Sequence, residues 1–145
     1  MTSWRDGASE QCQQDLDDLL NATLRFAQNM LQQHGEFYPF AAAVTTDGEK
    51  IMLSTKLTGN EHLDSSTLIT ETLATLQRDR DGLRATAIVA DVRAASADAI
   101  RVELEHREGQ TVSVQLSYTK KRFRNIAYGN LTASSLDRRV WPQTN

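Results

Sequence analysis

Cysteine is almost missing from this 145-residue chain: Cys12 stands alone, which excludes an internal disulfide framework. Only two prolines and seven glycines are present, too few for a collagen-like or linker-rich chain. No stretch approaches the roughly 18 consecutive apolar residues of a membrane helix. The opening M-T-S-W-R-D-G-A-S-E-Q has no basic segment leading into an apolar one. These absences set the expectation of a cytoplasmic protein that does not engage a membrane.

Recognised chemical motifs are missing too. There is no G-x-S-x-G, no glycine-rich phosphate loop, no H-E-x-x-H and no Cys/His spacing of the kind that holds zinc. Motif reading therefore yields no catalytic residue, no metal ligand and no cofactor.

What is present is an ordinary globular composition, 39% apolar and 24% charged. The length suits one domain able to bury a core unaided, placed at residues 9–132, with 1–8 and 133–145 as partly flexible terminal segments. The net charge of −3 conceals an asymmetry. Residues 1–119 carry ten Lys and Arg against eighteen Asp and Glu, whereas residues 120–145 carry six against one. A basic segment thus follows an acidic body.

Hydrophobic spacing gives the elements. From Ser9 to His34, the positions Cys12, Leu16, Leu19, Leu20, Leu24, Ala27, Met30 and Leu31 recur at steps of three and four, the signature of an amphipathic helix. Asp15, Asp17 and Asp18 sit in its early turns, where the helix dipole favours anions, and Gly35 is placed to stop it. Phe40–Thr46 and Glu49–Thr55 flank Asp47-Gly48, read as a two-residue hairpin that sets Val44 against Ile51 and Ala42 against Leu53. Leu63 to Arg80 reads as a second helix, capped by Asp64, Ser65 or Ser66. A strand follows at 85–93.

Residues 99–106 alternate strictly, with Ile100, Val102, Leu104 and His106 on one face and Arg101, Glu103 and Glu105 on the other. The next strand presents Val112, Val114, Leu116 and Tyr118. Matching these apolar faces requires a three-residue loop, Arg107 to Gly109, with Gly109 left-handed. The remainder, including F-R-N-I-A-Y-G-N-L, reads as a less regular basic tail. The order α-β-β-α-β-β-β implies an α+β domain, with two helices on one face of a mostly antiparallel five-stranded sheet. It resembles profilin-like and roadblock-type arrangements, whose usual strand order is 2-1-5-4-3.

Four groups of residues invite a functional reading. His34, Glu36 and Tyr38 could frame a ligand pocket or a small active site, although they also close a helix and bridge to a strand. Trp4 and Trp141, near the two ends, are candidate interface anchors or tethers. Lys120, Lys121, Arg122 and Arg124 are a candidate nucleic-acid contact, opposed by the acidic body. Glu103, Glu105 and His106 cannot converge on one ion, because a strand sends His106 to the opposite face.

The segments H-G-E-F-Y-P-F-A-A-A-V, A-D-V-R, A-I-R-V-E-L-E-H-R-E-G and Y-G-N-L together resemble a family of small stand-alone bacterial proteins. That resemblance covers about residues 10–132. It implies a bacterial origin and one compact domain, and brings no activity or site residue with it. The function expected from the sequence is a non-catalytic binding or regulatory module acting through a protein interface, a homodimer included.

Overall fold

The structure is a computed structural model that describes residues 4–54, 64–93, 97–122 and 125–142. After a 3-10 turn at Trp4–Gly7 come α1 (Glu10–His34), β1 (Phe40–Thr45) and β2 (Lys50–Ser54). α2 (Ser65–Asp79), β3 (Leu83–Arg93), β4 (Asp98–His106), β5 (Thr111–Lys120) and β6 (Ile126–Ser134) complete the α+β chain. The expected ends of the first hairpin and second helix, Thr55 and Leu63, lie outside the described residues.

Local chemistry explains the helix boundaries. Ser9 caps α1 by accepting the Cys12 N–H, and Gly35, at φ 78°, closes it by donating to the Leu31 carbonyl. Asp64 caps α2 by accepting the Thr67 N–H at 2.8 Å. Threonine hydroxyls at positions 70 and 75 bond back to the carbonyls of Ser66 and Glu71, a competition that weakens helix propensity. Buried Leu68, Thr72 and Leu76 supply the packing that holds α2.

The sheet is antiparallel, has six strands and runs β2-β1-β3-β4-β5-β6, which corrects both the five-strand expectation and the 2-1-5-4-3 order. β3, buried for most of its length, occupies the place beside β1 expected of the last strand. From β3 onward the sheet simply meanders. β2 and β3 flank β1 in the same direction, so the connection through α2 must cross a sheet face.

The helices lie on opposite faces, not on one. Phe40, Ala42 and Val44 of β1 pack with Leu16, Leu19, Ala27 and Leu31 of α1, whereas Ala41 and Ala43 pack with Leu76 of α2. Alternate residues of a strand point to opposite faces, so the doubly buried A-A-A-V run requires cover on both.

The two hairpins share one geometry. In the first, Thr45 donates to Glu49 O and Gly48 to Thr45 O, with Gly48 at φ 92°; in the second, His106 donates to Gln110 O and Gly109 to His106 O, with Gly109 at φ 110°. Both are three-residue loops ending in a left-handed glycine. The second matches expectation, with Leu104 opposite Val112 and Val102 opposite Val114. The first slips by one: Ala43 faces Ile51 and Ala42 faces Met52. With apolar residues on both faces of β1, the side-chain pattern carries no penalty for either register.

The supposed basic tail contains β6. It pairs with β5 through a bulge, where Tyr118 faces Tyr128 but Leu116 faces Leu131. Asn130 N–H donates to the Ser117 hydroxyl there, and a Cβ on Gly129 would lie 2.4 Å from that oxygen, so a side chain at 129 would displace the hydroxyl.

On the α2 side, Glu103 and Glu105 are not the solvated strand face their alternation suggests. Glu105 is 3% exposed, and its carboxylate accepts the backbone N–H groups of Arg139, Val140 and Trp141 at 2.8 to 3.0 Å. The Arg139 guanidinium also donates to Glu103 at 2.6 Å, and Val140 is buried beside Ala41, Ala43 and Ile88. One carboxylate thus fastens the chain after β6 onto the sheet. Glu105→Gln places amide hydrogens against those N–H donors. We expect a loss of about 1–3 kcal/mol in denaturant unfolding, with faster hydrogen exchange at residues 139–141; unchanged exchange would contradict the assignment.

Candidate functional site

The most organised polar cluster lies where the first turns of α1 meet the end of β4 and its hairpin loop. His106 ends the apolar face of β4, and its 2% exposure means that it needs a partner inside the protein. Asp15 supplies it from α1, with Oδ2 2.9 Å from His106 Nε2. The Glu108 N–H donates to Nδ1 at 3.2 Å, which leaves the ring proton on Nε2, donated to Asp15.

Arg84, at the start of β3, grips the same carboxylate with two bonds of 3.0 Å, and Gln11 adds one of 2.8 Å. Burial alone would raise the Asp15 pKa, but the bonds from His106, Arg84 and Gln11 outweigh it and hold the carboxyl below its ordinary value. Three elements are therefore joined at one buried charge.

Cys12 and Glu108 complete the cluster. Cys12 is fully buried, and desolvation, reinforced by the charges of Glu108 and Asp15, pushes its thiol up to about 12. Glu108, on the exposed loop, accepts the Ser9 hydroxyl at 2.7 Å. Cys12, His106 and Asp15 are the residue types of a nucleophile, a base and an orienting acid. However, Sγ has no solvent exposure and the thiol holds its proton, so attack on an incoming substrate is not what this arrangement offers.

The residues singled out from sequence lie elsewhere. His34, Glu36 and Tyr38 are all exposed, strung along a connector whose Phe37 and Pro39 are buried. Phe37 meets Phe40 edge to face at 5.8 Å, so the two phenylalanines of the G-E-F-Y-P-F stretch anchor the start of β1. Trp4 packs against the α1-side core and carries the Arg5 guanidinium 4.6 Å above its ring; Trp141 packs on the α2 side. Lys120, Lys121 and Arg122 are exposed at the end of β5 and in the turn to β6, and Arg124 lies outside the described residues. Asp91 and Arg93 are absorbed locally: Asp91 accepts the Tyr118 hydroxyl, and Arg93 pairs with Asp98 at 3.0 Å.

A second feature is apolar. Because of the bulge, Ile126, Tyr128, Leu131 and Ala133 share the face that carries Val114, Leu116 and Tyr118. α1 packs on β1, β3 and β4, so this strip extends past the helix. Tyr128 is 38% exposed and Leu131 55%. Among the described residues no helix is long and apolar enough to cross a membrane.

Sequence reading missed Asp15, assigning it to the helix dipole. The available signal was its place on the Cys12, Leu16, Leu19 stripe, matched by a histidine on an apolar strand face. No family model matches the chain, nor does a curated protein or a solved structure.

Asp15→Asn keeps an acceptor for His106 but strips Arg84 of its counter-charge. We expect a loss of about 3 kcal/mol near neutral pH. Because the folded pKa of Asp15 is lowered, its contribution is complete above the unfolded carboxyl range near pH 4 and disappears as pH falls through the folded value. Urea unfolding followed against pH should show a shallower acid limb in the variant; parallel curves would refute this role.

Proposed function

We propose that this chain is a non-catalytic interaction module that associates through β6, with a second copy of itself as partner. The observation that carries the reading is the character of that edge. Ile126–Ser134 is nine residues long and contains no charge and no proline. Apart from the bulge opposite Ser117, such an edge carries neither the charge, the proline nor the shortness that discourages pairing. The opposite edge, β2, is five residues long and includes Lys50.

Antiparallel pairing of β6 with its copy about a two-fold axis normal to the sheet keeps both α1 faces on the same side. The two Tyr128–Leu131 strips then adjoin, and each copy offers the same surface to the other. Main-chain bonds supply pairing and the strip supplies burial. A ligand pocket at His34, Glu36 and Tyr38 has less support, since three exposed side chains on a connector lack enclosing walls. Contact of Lys120, Lys121 and Arg122 with nucleic acid has only their exposure and charge in its favour.

Sedimentation equilibrium tests the proposal. Wild type should dimerise, and Leu131→Asp should weaken the dimer by about 3 kcal/mol, roughly a hundredfold in Kd. A wild-type chain that stays monomeric at every concentration examined would overturn the reading.

A further inference from the structure

Cys12 is far in sequence from His106 and Glu108, but Sγ, an imidazole nitrogen and a carboxylate oxygen of the three all lie within 4.8 Å of one another. Cys12 comes from the first turn of α1, His106 from the end of β4 and Glu108 from the loop that follows. The imidazole is already oriented in the way a metal ligand requires. Its Nε2–H is committed to the Asp15 carboxylate at 2.9 Å, while Nδ1 accepts the Glu108 N–H at 3.2 Å and lies 3.9 Å from the Glu108 carboxylate. A carboxylate behind a histidine fixes the tautomer and raises the basicity of the other nitrogen, the usual support for a coordinating imidazole.

Glu108 brings the negative charge among the neutral groups of the cluster, while Arg84 pairs with Asp15 at 3.0 Å behind the imidazole. The Ser9 hydroxyl holds the Glu108 carboxylate at 2.7 Å, beside the same helix turn. Glu108 is 41% exposed, whereas Cys12 and His106 are buried.

We propose that Cys12, His106 and Glu108 form a binding site for a divalent transition metal of borderline softness, zinc being the best match. A thiolate, an imidazole and a carboxylate are the ligand types zinc accepts, and a water completes the tetrahedron. The thiolate disfavours magnesium and calcium, which take oxygen ligands. Binding transfers the Cys12 thiol proton to solvent, and the two anionic ligands then neutralise the ion. The Glu108 N–H gives up Nδ1 as the coordinate bond replaces it. The site joins the start of α1 to the β4–β5 loop, so an ion would reinforce the junction already made by Asp15 and His106.

The test is titration of the chelator-treated full chain with Co(II) and then Zn(II). The expected result is stoichiometric Co(II) uptake with a thiolate-to-cobalt charge-transfer band in the near ultraviolet, bleached by Zn(II). Glu108→Gln alters an exposed loop side chain and should leave the circular dichroism spectrum unchanged. It should weaken Co(II) binding at least tenfold. Cys12→Ser, where it folds, should abolish the band while leaving residual binding. Absence of the band in wild type, or an unchanged affinity in Glu108→Gln, would overturn the proposal.

Discussion

The buried carboxylate of Asp15 is the constraint around which one end of the molecule is arranged. A lone anion in that position would be prohibitively costly, and its presence on the inward stripe of α1 obliges β3 to deliver Arg84 and β4 to deliver His106. Apolar contacts between a helix and a sheet are forgiving about sliding, because leucines and valines pack in several registers. Directional bonds to one carboxylate are not. The helix is thereby fixed along its axis as well as pressed against the sheet, and the imidazole it meets is fixed in orientation and tautomer. The proposed metal site follows from that orientation, since only an imidazole committed at Nε2 offers Nδ1 to an ion.

The opposite face uses the same device with the roles exchanged. There the carboxylate belongs to the strand, and three successive backbone N–H groups from residues 139–141 converge on Glu105. α2 covers β1 and β3, and the returning chain covers β4, so neither face of the sheet centre is left to water. Among the described residues the β6 margin keeps Tyr128 and Leu131 exposed, two strands away from Glu105 in the strand order.

Much of this was legible in the sequence where a single signal dominated. The long stripe of α1, its Gly35 stop and the strict alternation of β4 and β5 each pointed to one structure, and the β4–β5 register with its left-handed Gly109 followed from matching apolar faces. Where two readings satisfied the same pattern, the sequence could not choose. The all-apolar β1 fits either hairpin register, and the same property, burial on both sides, was the sign that α2 lies opposite α1. β6 was hidden because its bulge places Tyr128 and Leu131 on one face at an odd spacing, which breaks the period of two. Of the functional surface, the connector residues His34, Glu36 and Tyr38 stood out by proximity in sequence. The cluster of Cys12, Asp15, His106 and Glu108 did not, because its two halves, Cys12 with Asp15 and His106 with Glu108, are distant in the chain and only the fold brings them together.

The most direct measurement of this central arrangement is the long-range proton–nitrogen NMR spectrum of the His106 ring in the metal-free chain. The Asp15 link predicts a single tautomer, protonated at Nε2, whose proton exchanges slowly with water and whose Nδ1 shift is that of an unprotonated nitrogen. A ring protonated at Nδ1, or averaged rapidly between tautomers, would contradict the account.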